Sequence, residues 1–338
     1  MKRAFAIAVG LAASLVAAEA SAQATLNNVK QKGFLACGSN PALAGFGVPD
    51  AQGNWTGLDV EFCRAIAAAI FDDPNKVRFT PLTAKDRFTA LQSGEVDVLA
   101  RNSTATMSRD TQLGLDFPVI NYFDGQGFMV RKKLGVASAK ELGGASVCTQ
   151  QGTTTELNLA DFFRANNIKY EVVAFATADE TFKAYEAGRC DAFTTDASGL
   201  YAERVKASAP DEHVVLPEII SKEPLGPVVR HGDNQWGDIV RWVHFAMLNA
   251  EELGVTKANV GEMLKSANPE IKRLLGTEGK YGEAIGLPND WAVRVVRHVG
   301  NYGESFERNV GASSPLKIQR GQNALWTKGG LQYGQPVR

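Results

Sequence analysis

Three short stretches of this chain collect the side chains that can hold a small zwitterion. Residues 102–109 read Asn-Ser-Thr-Ala-Thr-Met-Ser-Arg, with hydroxyls, backbone N–H groups and one guanidinium. Arg109 suits a carboxylate, which its planar fork can bind through two parallel hydrogen bonds. The competing reading is a surface ion pair with Asp110 or Asp116. Residues 150–156 read Gln-Gln-Gly-Thr-Thr-Thr-Glu, and Thr153 with Glu156 has the spacing of a helix capping box. A helix N-terminus also attracts anions, and Gly152 lets the backbone approach a ligand closely. Residues 194–196 end in Asp196, which can cap a helix or pair with an ammonium group. Arg109 and the turn at 153–154 for a carboxylate, with Asp196 for an amine, describe the head group of an α-amino acid.

Catalytic arrangements are hard to find beside these stretches. The histidines stand at 213, 231, 244 and 298, outside all three. The chain has no G-x-S-x-G nucleophile elbow and no HExxH zinc motif. Cysteines at 37, 63, 148 and 190 form no C-x-x-C pair, which argues against a zinc site. Lys+Arg number 36 against 37 Asp+Glu, so no cationic surplus exists to neutralise nucleic acid. At 338 residues and 44% apolar, the chain supports one large domain or two of ordinary size, and disorder is excluded.

The elements that must position these groups alternate. Residues 33–37, 77–79 and 96–100 read as strands, with helices at 59–71 and 86–92 between them. A second series follows: strands at 145–148, 170–173 and 190–193, helices at 153–165 and 179–186. Such alternation argues for parallel α/β sheets. The segments 91–99 and 184–192 resemble each other: each ends a helix at a small residue and Gly, then starts a strand with an Asp two residues in. Two similar lobes follow, with ligand at the carboxyl ends of their strands and so between them.

The first residues stand apart. Lys2 and Arg3 precede an apolar run over 4–18 and a small-residue ending at 19–24. That pattern is a secretory signal peptide, cleaved after Ala22 or Ala24, and the run falls short of the roughly 20 residues a membrane helix needs. The mature protein is expected in the periplasm.

Residues 57–62, Gly-Leu-Asp-Val-Glu-Phe, resemble the G-[hydrophobic]-D-[hydrophobic]-[DE]-[hydrophobic] helix start of the extracellular solute-binding proteins, family 3. Asn102-Ser103-Thr104 with Arg109 and Asp116-Phe117, then Gly152-Thr153-Thr154, then 191–196, match that family in order and spacing. The strings 85–94, 152–164, 219–225 and 301–331 are similar to its general L-amino-acid-binding subfamily.

This resemblance implies a type II periplasmic binding protein fold, α/β, with each lobe a mostly parallel sheet flanked by helices. The lobes would comprise 23–128 with 228–338, and 129–227, joined by two crossing segments near 127–131 and 221–228. It implies free L-amino acids as ligands, an inner-membrane ABC permease as partner, its ATPase subunit indirectly, a monomer, and no cofactor. Arg109 would clamp the α-carboxylate with the Thr104 hydroxyl and the N–H and side chain of Thr154. Asp196 and a backbone oxygen at Asn102 would hold the α-ammonium. Asn40 falls where relatives carry a ligand-contacting Asp, and Gln150 where some place Lys. Leu43 and Ala84 replace stacking aromatics of His- or Gln-specific relatives, which predicts broad specificity. Arg87 either reaches an acidic ligand side chain or pairs internally with Glu95 or Asp97. The alternatives on the same fold are a dehydratase-like secreted enzyme and a sensor module.

Beyond about residue 255 the chain runs longer than typical family members. Trp236, Trp242, Trp291 and Trp326 read as core anchors of this C-terminal half, in part on helices at 234–252 and 288–300 packed on the first lobe. An oxidising compartment invites the pairs Cys37/Cys63 and Cys148/Cys190, and the sequence favours them over buried thiols without settling connectivity.

Overall fold

The computed structural model describes residues 24–338, so the signal peptide lies outside the described residues. Two sheets organise the chain. In the first, the Val77–Pro81, Leu35–Ser39 and Val98–Thr104 strands are parallel, and the Glu223–Arg230 strand adds antiparallel. The short Leu115–Asp116 and Tyr122–Asp124 strands pair with its far edge. In the second sheet, Glu171–Phe175, Ser146–Gln150 and Ala192–Asp196 are parallel, Gln126–Arg131 runs antiparallel beside Ala192–Asp196, and His213–Val215 pairs antiparallel with Gln126–Arg131 at the edge. The chain therefore leaves the first sheet at Asp124, enters the second at Gln126, and returns by Glu223.

The two lobes share a local device. Asp97 and Asp191 each follow a positive-φ glycine, Gly94 at 80° and Gly188 at 82°. Each aspartate then accepts an N–H at the start of the neighbouring strand: Asp97 from Ala36 at 2.8 Å, Asp191 from Ser146 at 2.8 Å. Its own N–H donates back, to Ala36 O at 2.8 Å and to Ser146 O at 2.9 Å. A buried strand N–H left unpaired would cost about 1–3 kcal/mol, so the aspartates explain the resemblance of 91–99 and 184–192 physically.

Helices cover both sheets. The Leu58–Phe71 helix buries Val60, Ala65, Ile66 and Ile70 and stops at Asp72, whose φ of 56° is left-handed. The Asn234–Glu252 and Trp291–His298 helices join the same core, where Trp236 and Trp291 are buried. Trp236 Nε1 also donates to Asp97 O at 2.9 Å, tying the long helix to the lobe-one device. Trp326 departs from expectation: it is 48% exposed and packs on Tyr333 rather than in the core. Both cysteine pairs are disulfides, Cys37–Cys63 and Cys148–Cys190.

Candidate functional site

The first-lobe half of the site grows out of one strand. Expected to end at residue 100, it continues to Thr104, and Thr106 then caps a helix, Met107–Leu113, that the sequence pattern did not signal. Thr106 Oγ1 accepts the Arg109 N–H at 3.3 Å, which sets Arg109 one turn into that helix with its side chain directed back. Arg109 Nη1 donates to Thr104 O at 2.8 Å, and the guanidinium lies 5.0 Å over the Phe88 ring. It is buried, and Asp110 pairs instead with His231, so Arg109 is no surface ion pair. Burial lowers its pKa, against the opposing pull of Glu223 and Asp196.

The second lobe contributes a turn and a strand end. Thr153 Oγ1 accepts from Glu156 N at 3.2 Å, starting the Thr154–Ala165 helix. The Glu156 carboxylate does not complete the capping box; it accepts from Gly152 N at 3.1 Å. Gly152, at φ 73°, approaches the Lys85 backbone of the other lobe. Asp196 ends its strand at the N-cap position of the Ala197–Lys206 helix, yet makes no capping hydrogen bond. Its carboxylate is buried, with the Asn102 amide beside it across the cleft. Burial raises its pKa well above the ordinary carboxylate value, and Asp124 and Glu223 add to that.

Asn40 joins this group: its Nδ2 donates to Asn102 Oδ1 at 3.1 Å. Gln150 donates to Ala176 O at 3.2 Å and faces the cleft. Asn40, Leu43, Asn102, Gln150, Thr194 and Asp196 line a small cavity of about 30 Å³ between the lobes. Asn40 and Gln150 also line an adjoining chamber of about 580 Å³, whose walls include Ala42, Leu82, Arg101 and Lys206. Ala84 is buried and lines neither cavity. The lobes touch directly here: Lys206 Nζ donates to Ala42 O at 2.5 Å, and the Thr104 and Thr154 hydroxyls lie 3.3 Å apart.

Four charged residues escaped the sequence reading. Glu223, on the returning strand, accepts from the Thr104 hydroxyl at 2.6 Å, the Thr154 hydroxyl at 2.8 Å and Asn158 Nδ2 at 2.7 Å. Thr104 and Thr154 therefore reach each other through a carboxylate within the 219–225 string, which was singled out only for its resemblance. Asp124 accepts from Ser198 and from Gly125 N, and burial pushes its pKa up to about 6. Arg101 donates to Leu82 O at 2.9 Å, and burial pushes it down to about 10. Asp59, quoted only as a motif position, accepts from Asn102 N at 2.8 Å.

Arg87 corrects an expectation. It forms no ion pair with Glu95 or Asp97; Asp97 pairs with Lys32 at 2.5 Å. Arg87 is buried over Phe88 at 4.7 Å, and its Nε lacks a hydrogen-bond partner among the described residues. Burial lowers its pKa, as do Arg101 and Arg109. Guanidiniums and carboxylates thus converge on one cleft, the electrostatics a zwitterion requires.

Comparison with known proteins agrees with this geometry. Residues 35–255 match the model of the bacterial extracellular solute-binding proteins, family 3. The chain is 61% identical over 98% of both lengths to the general L-amino acid-binding periplasmic protein AapJ of Rhizobium johnstonii. It is 60% identical to the glutamate/glutamine/aspartate/asparagine-binding protein BztA of Rhodobacter capsulatus, over 100% of this chain and 99% of that one. Among solved structures, an ABC transporter/periplasmic binding protein from Brucella ovis with glutathione bound superposes with a TM-score of 0.92. That protein is 62% identical, over 93% of this chain and 99% of its own.

Proposed function

This chain belongs to the bacterial extracellular solute-binding proteins, family 3, and on that premise we propose that it is the periplasmic L-amino-acid-binding component of an ABC transporter. The observation that carries the reading is a buried guanidinium, Arg109, on one lobe within electrostatic reach of a buried carboxylate, Asp196, on the other that caps no helix. The α-carboxylate lies against Arg109 and the Thr154 N–H. The α-ammonium lies between Asp196 and the Asn102 carbonyl. Asn40 and Gln150 border the ligand side chain as it enters the outer chamber.

That chamber sets apolar wall beside groups of both charge signs, Arg101, Lys206 and Asp179, with no aromatic side chain, which supports broad side-chain specificity beyond a strict head-group clamp. Contacts such as Lys206 to Ala42 O belong to a closed pair of lobes, the surface an inner-membrane permease would recognise. The ligand is released unchanged, by a periplasmic monomer once residues 1–22 are removed. Calorimetry of the mature protein over a panel of L-amino acids, with recovery of intact ligand, tests this. Binding of many at micromolar affinity or better is expected; binding of none refutes it.

A second reading rests on the chamber's size. About 580 Å³ exceeds any single amino-acid side chain, and the Brucella ovis relative was solved with glutathione. A peptide joined through a glutamyl side chain would keep its amino-acid head in the clamp and its extension in the chamber. Glutathione belongs in the same calorimetric panel, with Arg109→Ala expected to abolish its binding too.

A further inference from the structure

The Gly57-Leu58-Asp59 motif has so far only marked a family. We propose that Asp59 is a positioning residue, whose carboxylate holds Asn102 in a left-handed bulge and so aims the Asn102 carbonyl at the ligand ammonium. The proposal rests on the amino-acid reading of the site.

The geometry is specific. Asn102 has φ 32°, and among the described residues it is the one non-glycine with positive φ inside a strand. That conformation disfavours any residue with a Cβ, though Asn tolerates it better than most. The strand is irregular at this point. Leu99 pairs with Val228 and Ser103 with Gly226, so residues 100–102 stand opposite Pro227 alone. Proline offers no N–H to the ladder, and the extra residues bulge. Asp59 Oδ2 then accepts the Asn102 N–H at 2.8 Å. The side chain is secured separately, with Oδ1 accepting from Asn40 Nδ2 at 3.1 Å and Arg101 Nη1 at 3.3 Å.

Gly57 explains why Asp59 arrives there. At φ 130° it leads into the Leu58–Phe71 helix, and a Cβ on it would lie 2.1 Å from Phe46 O. Only glycine permits this close approach of the chain, which delivers Asp59, the second helical residue, beneath the bulge. Asp59 is buried and faces Arg101 and Asn121 in addition to Asn102.

The test compares Asp59→Ala and Asp59→Asn with the mature wild type, titrating one tightly bound L-amino acid and, by competition, its α-hydroxy analogue, which lacks the ammonium. Asp59→Ala is expected to weaken the amino acid at least tenfold and the hydroxy acid by less than threefold. Asp59→Asn keeps an acceptor oxygen and is expected within about threefold of wild type for both. Equal weakening of both ligands in Asp59→Ala, or no weakening, overturns the proposal. Loss in Asp59→Asn matching that in Asp59→Ala overturns it in favour of a charge partnership with Arg101. If the alanine variant does not fold, Asp59→Leu, similar in shape and without an acceptor, takes its place with the same expectations. A wild type that binds no amino acid removes the functional reading itself, independently of either variant.

Discussion

Asp124, not Asp196, serves the first turn of the Ala197–Lys206 helix. The Asp124 carboxylate accepts from the Ser198 N–H at 3.4 Å and from its hydroxyl. Asp196 stands at the N-cap and bonds to none of the helix N–H groups. A residue from the crossing between lobes thus takes over a local duty and leaves Asp196 directed at the cleft. Without that substitution, capping would compete with ligand for the same oxygens.

The clamp on the carboxylate is expected to fail when Arg109 is shortened. Arg109→Ala leaves the α-carboxylate desolvated without its partner, a loss of about 2–5 kcal/mol. Calorimetry should show affinity falling at least about thirtyfold. Arg109→Lys should also be poor, because a point charge cannot reproduce the planar fork.

Protonation of the acidic side of the cleft gives a signed pH dependence. Burial raises both Asp124, to about 6, and Asp196, with Glu223 adding in each case; Arg87 opposes the shift at Asp196. Before ligand arrives the pair retains a proton to higher pH than exposed aspartates do. An ammonium favours the charged carboxylate, so binding expels that proton. Affinity should fall as pH drops through the raised range in which Asp196 takes up its proton, approaching tenfold per unit below it. Calorimetry in buffers of different ionisation enthalpy should detect proton release, and Asp196→Asn should flatten the profile.

Glu223 joins the Thr104 hydroxyl of one lobe to Thr154 and Asn158 of the other. Glu223→Ala strands those donors and removes the bridge. Closure should become less favourable, with ligand affinity falling about tenfold, which corresponds to about 1.4 kcal/mol. Small-angle scattering of the liganded variant should report a more open particle than wild type.

His244 should govern acid stability. It is buried between Phe62 and Tyr302, with Nε2 3.1 Å from Gln332 Oε1, and burial pushes its pKa from 6.5 down to about 4. The folded protein keeps it neutral while the unfolded chain takes a proton. Its contribution is complete above pH 6.5 and is lost as pH falls through 6.5 towards 4, to a limit of about 3 kcal/mol. Denaturant titrations from pH 7.5 to 4 should show this step in wild type and not in His244→Phe.

The Cys148–Cys190 bridge ties the strand leading to Thr154 to the one ending at Asp196. Its closed loop spans 42 residues, which by chain entropy stabilises by about 4 kcal/mol. Cys148→Ala with Cys190→Ala should lower the denaturation midpoint accordingly while retaining ligand binding in the cold.

Much of this protein is written locally. The alternation of strands and helices, the paired Gly-then-Asp turns at 94–97 and 188–191, and the cap at Thr153 depend on neighbours a few residues away, so periodicity and turn chemistry reveal them. Arg109 and Asp196 were legible because they lie past or at the carboxyl end of a strand, where such sheets gather ligands. Asn102 reads the same way, although its strand runs on to Thr104. Glu223 bonding Thr104, Asp59 holding Asn102, Asp124 relieving Asp196, and buried Arg87 set among Arg101, Arg109, Asp196 and Glu223 were not legible. Those contacts join residues 43 to 119 positions apart, or depend on which side of a helix faces the gap between lobes. No local pattern encodes them: packing two sheets around a twice-crossed hinge decides which charges meet, and low dielectric then sets their protonation.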